Sequence, residues 1–140
     1  MRGKRAFFRG GQVAIEYLVL FAFLLMVVGV LFAFSFVAVN DSVSFHKIRD
    51  SLLRISSAAE NISALGEGSM TTVYIELPEH VQSAEANGNY VRISAQYGGS
   101  ISDFSENSNA SFSYSVLPTE AGSHRLLLEV HDGNITVSQV

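Results

Sequence analysis

The sequence predicts an α+β protein: a long N-terminal helix, transmembrane and then amphipathic, followed by an antiparallel β-sheet or small β-sandwich head. Three observations predict it. Over residues 17–39 every residue is apolar or Gly except Ser35, a run of 23. Over residues 45–62 the apolar side chains recur at helical spacing. From Thr71 onward they alternate instead.

The apolar run is the first element. As a helix at about 1.5 Å per residue it is about 35 Å long, enough to cross the hydrocarbon core of a bilayer. An ordinary secretory signal peptide has an apolar core of about 7–15 residues before a small-residue cleavage site, so this run is too long for one. One acid, Glu16, stands at its start, where a carboxylate costs on the order of 2.5–3.5 kcal/mol on insertion scales.

The second element continues the helix with a different face. Phe45, Ile48, Leu52, Ile55, Ala59 and Ile62 are spaced 3, 4, 3, 4 and 3, one stripe of an amphipathic helix. His46, Lys47, Arg49, Asp50, Arg54, Glu60 and Asn61 populate the wet side, with Asp50 four residues ahead of Arg54 in the favourable ion-pair order. No Pro occurs over residues 12–65, so one helix of about 50 residues is permitted. Asn40, Asp41 and Ser42 are the place for a break, and Gly66 and Gly68 are the expected stop.

The third element is the head, residues 71–140. Val73, Ile75 and Leu77 alternate with Tyr74 and Glu76, and Pro78 ends that strand. Val91, Ile93, Ala95 and Tyr97 read as a second strand after an Asn87-Gly88-Asn89 turn. Phe112, Tyr114 and Val116 alternate with Ser111, Ser113 and Ser115 as a third. Leu126, Leu128 and Val130, then Asp132-Gly133, then Ile135 and Val137 predict a terminal hairpin with a two-residue turn. Residues 98–109, polar and small, read as a surface loop. Asp103 and Glu106 within it are too few acids for a calcium loop.

Charge is divided along the chain. Four of the nine bases, Arg2, Lys4, Arg5 and Arg9, precede Gly11, leaving five bases against thirteen acids, a balance of −8, from Gln12 onward. Basic residues ahead of the span place the N-terminus in the cytoplasm and the head outside. The acidic remainder lacks the Lys and Arg clusters that bind phosphate, so nucleic acid is not an expected partner. With no Cys there is neither a disulfide framework nor a thiolate metal site. His46, His80, His124 and His131 have no metal-ligand spacing, and no phosphate loop, nucleophile elbow or carboxylate pair is present. Neither a cofactor nor an enzymatic activity is expected.

Two short patterns remain. The sequons at Asn40, Asn61, Asn109 and Asn134 number four, where composition predicts about one by chance, and all four follow the span, so they are candidate N-glycosylation sites of an exported chain. The other is the N-terminal succession of a basic leader, Gly10-Gly11, Gln12, Glu16, Tyr17 and Leu18. It resembles an archaeal type IV pilin-like precursor with a class III signal peptide, whose pattern is Gly, then Gln-x-Ser-x-Glu-Tyr/Phe-Leu. Gly11, Gln12, Glu16, Tyr17 and Leu18 match, and Ala14 stands where that family usually has Ser.

The resemblance implies a type IV pilin-like fold, a cut by a prepilin peptidase between Gly11 and Gln12, and a mature subunit in which Glu16 is the fifth residue. It also implies that Glu16, beside Tyr17, neutralises the terminal amine of a neighbouring subunit during assembly. Implied partners are the prepilin peptidase, other pilin subunits in a homo- or hetero-polymer, and the lipid bilayer. The expected organisation is then a leader over 1–11, a membrane or filament-core helix over 12–39, its amphipathic continuation over 40–65 and the head over 71–140. The expected function is a major or minor subunit of a cell-surface filament serving adhesion. The alternatives are an uncleaved, membrane-anchored exported β-domain acting as a binding module, and a subunit of archaellum-type machinery.

Overall fold

The computed structural model describes residues 6–140, so Arg2, Lys4 and Arg5 of the leader lie outside the described residues. Helix α1 spans Ala6–Leu65, and five strands follow: β1 (Met70–Leu77), β2 (Val81–Tyr97), β3 (Ser100–Val116), β4 (Gly122–His131) and β5 (Asn134–Gln139). This is the expected α+β arrangement. The chain divides into two compact units, Met1–Asn40 and Asp41–Val140. Helical backbone continues through Asn40, Asp41 and Ser42, where the sequence allowed a break.

In the second unit the helical stripe meets its expectation from Ile48 onward, whereas Phe45, its first expected member, is 36% exposed. Ile48, Leu52, Ile55, Ala59 and Ile62 are all buried, and Asp50 accepts a hydrogen bond from Arg54 Nε at 2.6 Å on the wet side. That exposed pair contributes little to stability. The helix ends where Gly66 adopts φ +96° and its N–H reaches back to Ile62 O at 3.2 Å, a left-handed cap that a side chain would resist.

The sheet is single and mixed, in the order β1-β4-β5-β3-β2. β1 with β4, β4 with β5 and β2 with β3 pair antiparallel, whereas β3 meets β5 in parallel at Phe112 and Ile135. Val73, Ile75, Leu77, Leu126, Leu128, Val130, Ile135 and Val137 bury their side chains with the helical stripe. The terminal hairpin turns at Asp132-Gly133 as expected, both residues having positive φ (50° and 75°), as a two-residue type I′ turn requires.

Two expectations fail together. Asn87-Gly88-Asn89 is not a turn ahead of a strand but lies inside β2, and most of the presumed loop over 98–109 is the first half of β3. The reason is a bend. Two steps along β2, from Gly88 to Tyr90, correspond to five along β3, over 107–112, so extra β3 residues bulge out and the paired strands turn. The N–H of Gln96, near the end of β2, donates to His80 O at 2.9 Å, just ahead of its start. A straight strand would hold those residues about 50 Å apart, so the ribbon folds back on itself.

The same irregularity corrects the third strand. Phe112 faces the core as expected, but Tyr114 and Val116 are exposed, while Ser115 and Leu117 are buried. Ser115 Oγ is satisfied there, donating to Ser113 O at 3.0 Å and accepting from the Val137 N–H at 3.3 Å.

The sheet therefore holds the helix from two flanks. On one, the Glu76 main chain faces away from β4 and Ser51 Oγ takes both its groups, donating to Glu76 O at 3.0 Å and accepting from its N–H at 3.3 Å. Lys47 Nζ adds an ion pair to the Glu76 carboxylate at 2.6 Å. On the other, the folded-back ribbon brings Tyr97 and Phe104 to Phe45, with ring centroids 4.7 and 5.5 Å apart. Further along, Ser56 Oγ donates to Asn107 O at 3.3 Å, and Glu60 Oε1 accepts from the Asn109 N–H at 3.0 Å.

At the far end, Glu67 joins the helix cap to the terminal hairpin. Its Oε1 accepts from the Asp132 N–H at 2.8 Å and its Oε2 from the Gly133 N–H at 3.2 Å. These two amides, and His131 beside them, hold the Glu67 carboxyl below its ordinary value of 4.5. A depressed carboxyl contributes stability above its unfolded pKa, and that contribution disappears as pH falls through the folded value. Glu67→Ala is thus expected to lower the melting temperature of the second unit at neutral pH and to have a smaller effect once the pH falls well below 4.5. Thermal melts of both proteins across that range check this. In the core, Ile55→Ala is expected to cost about 2–5 kcal/mol, whereas Leu53→Ala, 42% exposed on the other face, is expected to change stability by about 0.5 kcal/mol or less. Denaturant titration in detergent measures both.

Candidate functional site

The first unit contributes a helix whose apolar side chains are exposed among the described residues. All described side chains from Gly11 to Val39 are exposed, among them Phe21, Phe23, Phe32, Phe34 and Phe36, each at least 60% exposed. Such a surface far exceeds the apolar patch of about 300–600 Å² found on a typical soluble monomer. α1 includes a stretch long and apolar enough to cross a membrane. Ser35 does not interrupt it, because its Oγ donates to Leu31 O at 2.9 Å within the same helix.

The residues singled out by the N-terminal pattern lie on this helix. Gly11, Gln12, Glu16 and Tyr17 are all helical and exposed, Tyr17 at 70%. The helix begins earlier than expected, at Ala6 rather than Gln12, so the Gly11–Gln12 peptide lies inside it. Gly costs about 1 kcal/mol against Ala in a helix interior, which makes Gly10-Gly11 a weak point of that turn. Among the described residues Glu16 has neither a hydrogen-bond nor an ion-pair partner, and its neighbours Ile15, Tyr17, Leu18 and Leu20 are large and apolar. A carboxylate in that company is costly unless a cation from elsewhere meets it.

The sequons are dispersed. Asn61 is exposed on the wet face of α1, and Asn134 is half-buried at the start of β5, beside the Asp132-Gly133 turn. Asn109 is exposed in the β3 bulge, where its Nδ2 donates to Glu60 Oε1 at 3.3 Å. The Asn40 side chain lies outside the described residues. A shallow hollow is lined by Glu60, Ser63, Ala64, Asn109 and Ala110, and its open form suits water better than a bound small molecule.

Among the described residues the titratable side chains meet only in small groups, such as exposed His131 with Glu67 and Asp132, each at 3.5 Å. His46, His80 and His131 are exposed. His124 is half-buried, its Nε2 2.7 Å from Glu120 O and its Nδ1 3.3 Å from Gln139 Nε2. Asp103 accepts a hydrogen bond from Ser94 Oγ across the β2–β3 ribbon. Among the described residues no group of three His, Asp or Glu is placed to hold a metal ion.

Sequence reasoning missed the structural acids Glu60 and Glu67, whose partners lie 49 and 65 residues away. No local pattern encodes them. It also missed the Phe45, Tyr97 and Phe104 cluster, for which the signals were Phe45 on the helical stripe and Tyr97 in step with Val91, Ile93 and Ala95. Comparison with protein-family models, with curated proteins and with solved structures finds no match for this chain.

Proposed function

We propose that this chain is the precursor of a structural subunit, major or minor, of an archaeal type IV pilus-like surface filament serving adhesion. The observation that carries the reading is the exposed apolar run of α1 that follows Glu16, with Glu16 four residues after Gln12. Such a helix needs two environments, lipid before assembly and equivalent helices after it. The bilayer and other copies or related subunits are the partners, and the basic residues before the span put its N-terminus in the cytoplasm and the head outside.

Glu16 supplies the register. A carboxylate and a new terminal amine, each costly among apolar helices, become tolerable as a pair between subunits, and that pair fixes the axial stagger. Cleavage by a prepilin peptidase after Gly11 would create the amine, after unwinding of the helix at Gly10-Gly11. The sequons at Asn40, Asn61, Asn109 and Asn134 would carry glycans on the exported side.

One observation favours a second reading, an anchored and uncut binding module: helical backbone on both sides of Gly11 shields the scissile peptide. The N-terminal sequence and intact mass of protein recovered from membrane and surface fractions separate the two. A chain beginning at Gln12 is expected, whereas one still carrying Arg2 and Gly11 overturns the pilin reading. Glu16→Gln is expected to leave membrane insertion intact and to reduce filament yield, and unchanged assembly counts against the register role. Peptide mass mapping is expected to find glycan on at least one of the four Asn, and unmodified Asn throughout ends that part of the proposal.

A further inference from the structure

The β2–β3 turn is a tip of the head that carries no charge of its own. No charged residue lies between Arg92 and Asp103. The turn itself is Gly98-Gly99, with φ of +56° and +85°, and Ile101 just beyond it is 66% exposed. A single exposed Ile is ordinary, but this one does not stand alone. Tyr97, the residue before the turn, lies against Phe45, which is 36% exposed, and Val43 is 48% exposed one half-turn earlier on the helix.

The direction of the ribbon is set by contacts within the second unit. Asn109 and Asn107 of β3 meet Glu60 and Ser56, and Phe104 meets Phe45. Descending in number along β3 thus descends in number along α1. Residues 98–101 continue that course by about 10 Å at about 3.3 Å per residue, toward the end of the helix from which the apolar run arrives. Phe45 is six residues after Val39, the end of that run, about 9 Å as helix and no more than about 22 Å fully extended. The headgroup layer is about 5–8 Å deep on each side of the hydrocarbon.

We infer that in the membrane-resident chain the β2–β3 turn rests on the lipid surface, with Ile101 entering the headgroup layer and Tyr97 and Phe45 behind it. This rests on the membrane reading proposed above. The tether supplies the proximity. Ile101 supplies the apolar side chain, and the absence of charge from the turn spares it desolvation. Asp103 and Glu79 near this end favour a zwitterionic surface over an anionic one.

The protein has no Trp, so a single introduced Trp reports unambiguously. Three full-length variants are reconstituted in phosphatidylcholine vesicles with plain or brominated acyl chains: Ile101→Trp at the turn, Tyr74→Trp on exposed β1, and Phe34→Trp in the apolar run. The expected result is quenching of Phe34→Trp and Ile101→Trp by brominated lipid, with Tyr74→Trp unquenched and emitting as in water. An unquenched, water-like Ile101→Trp beside a quenched Phe34→Trp overturns this inference and leaves the membrane reading standing. A blue-shifted but unquenched Ile101→Trp means that protein, a second copy included, covers the turn, and overturns it as well. Equal quenching of Tyr74→Trp and Ile101→Trp means that the head lies on its side, which also overturns it. An unquenched Phe34→Trp overturns the membrane reading and this inference together.

Discussion

The head depends on one packing constraint: its sheet has a single helical stripe, Ile48, Leu52, Ile55, Ala59 and Ile62, on which to bury its inner face. One helix is about 10 Å across, whereas five strands at about 4.8 Å spacing make a sheet roughly twice as wide. A flat sheet would leave its outer strands without a partner. The β3 bulge resolves the mismatch by turning the β2–β3 ribbon around the flank of the helix, so that Val91, Ile93 and Ala95 become fully buried. Ser51 and Ser56 then take main-chain groups on the two flanks. Both are small and polar beside a stripe of Ile and Leu, and a larger residue at either position would push a strand off the helix.

Much of this was legible where the relevant spacing is local. The stripe, the Asp50–Arg54 pair, the Gly66 stop, the first strand ending at Pro78 and the Asp132-Gly133 hairpin each rest on residues within one or two turns of one another. The bend was not legible, because its cause is tertiary. Residues 98–109 read as a loop since the returning ribbon is narrow and largely wet, and a strand half exposed on a Ser-rich ribbon lacks the alternation that identifies one. Gly88 reads as a turn residue for a sound reason, its φ of +53°, but the turn is a change of direction within a strand. Tyr114 and Val116 show the same limit, because the bulge reverses which residues face inward.

The two isolated acids Glu16 and Glu67 differ in how their charge is met. Glu67 has its partners built in, two amide donors of the Asp132-Gly133 turn, and its carboxyl is correspondingly easier to ionise. Its role is complete within the chain. Glu16 sits on the stretch of α1 over residues 11–39 whose described side chains are all exposed, among large apolar neighbours, with no partner among the described residues. That contrast locates the unfinished part of the molecule. The N-terminal helix leaves an apolar surface exposed and, among the described residues, a carboxylate without a partner.

Those two unmet demands also constrain each other. Lipid alone satisfies the apolar surface but not Glu16, and an aqueous cation satisfies Glu16 only if that turn stays at the membrane surface. An environment that satisfies both at once is apolar yet carries a fixed positive charge at the depth of Glu16. A bundle of like helices offers the first, and a free amine four residues before each Glu16 would offer the second, since one exists per copy and its axial offset is fixed by the helical rise. The offset is about 6 Å at about 1.5 Å per residue, so a neighbour must shift along its axis by about that distance for its Glu16 to meet the amine. Side-by-side helices in exact register would instead place like charges together. In the filament proposed above, with the chain cut after Gly11, this pairing would require neighbours staggered along their axes rather than a flat cluster of anchors.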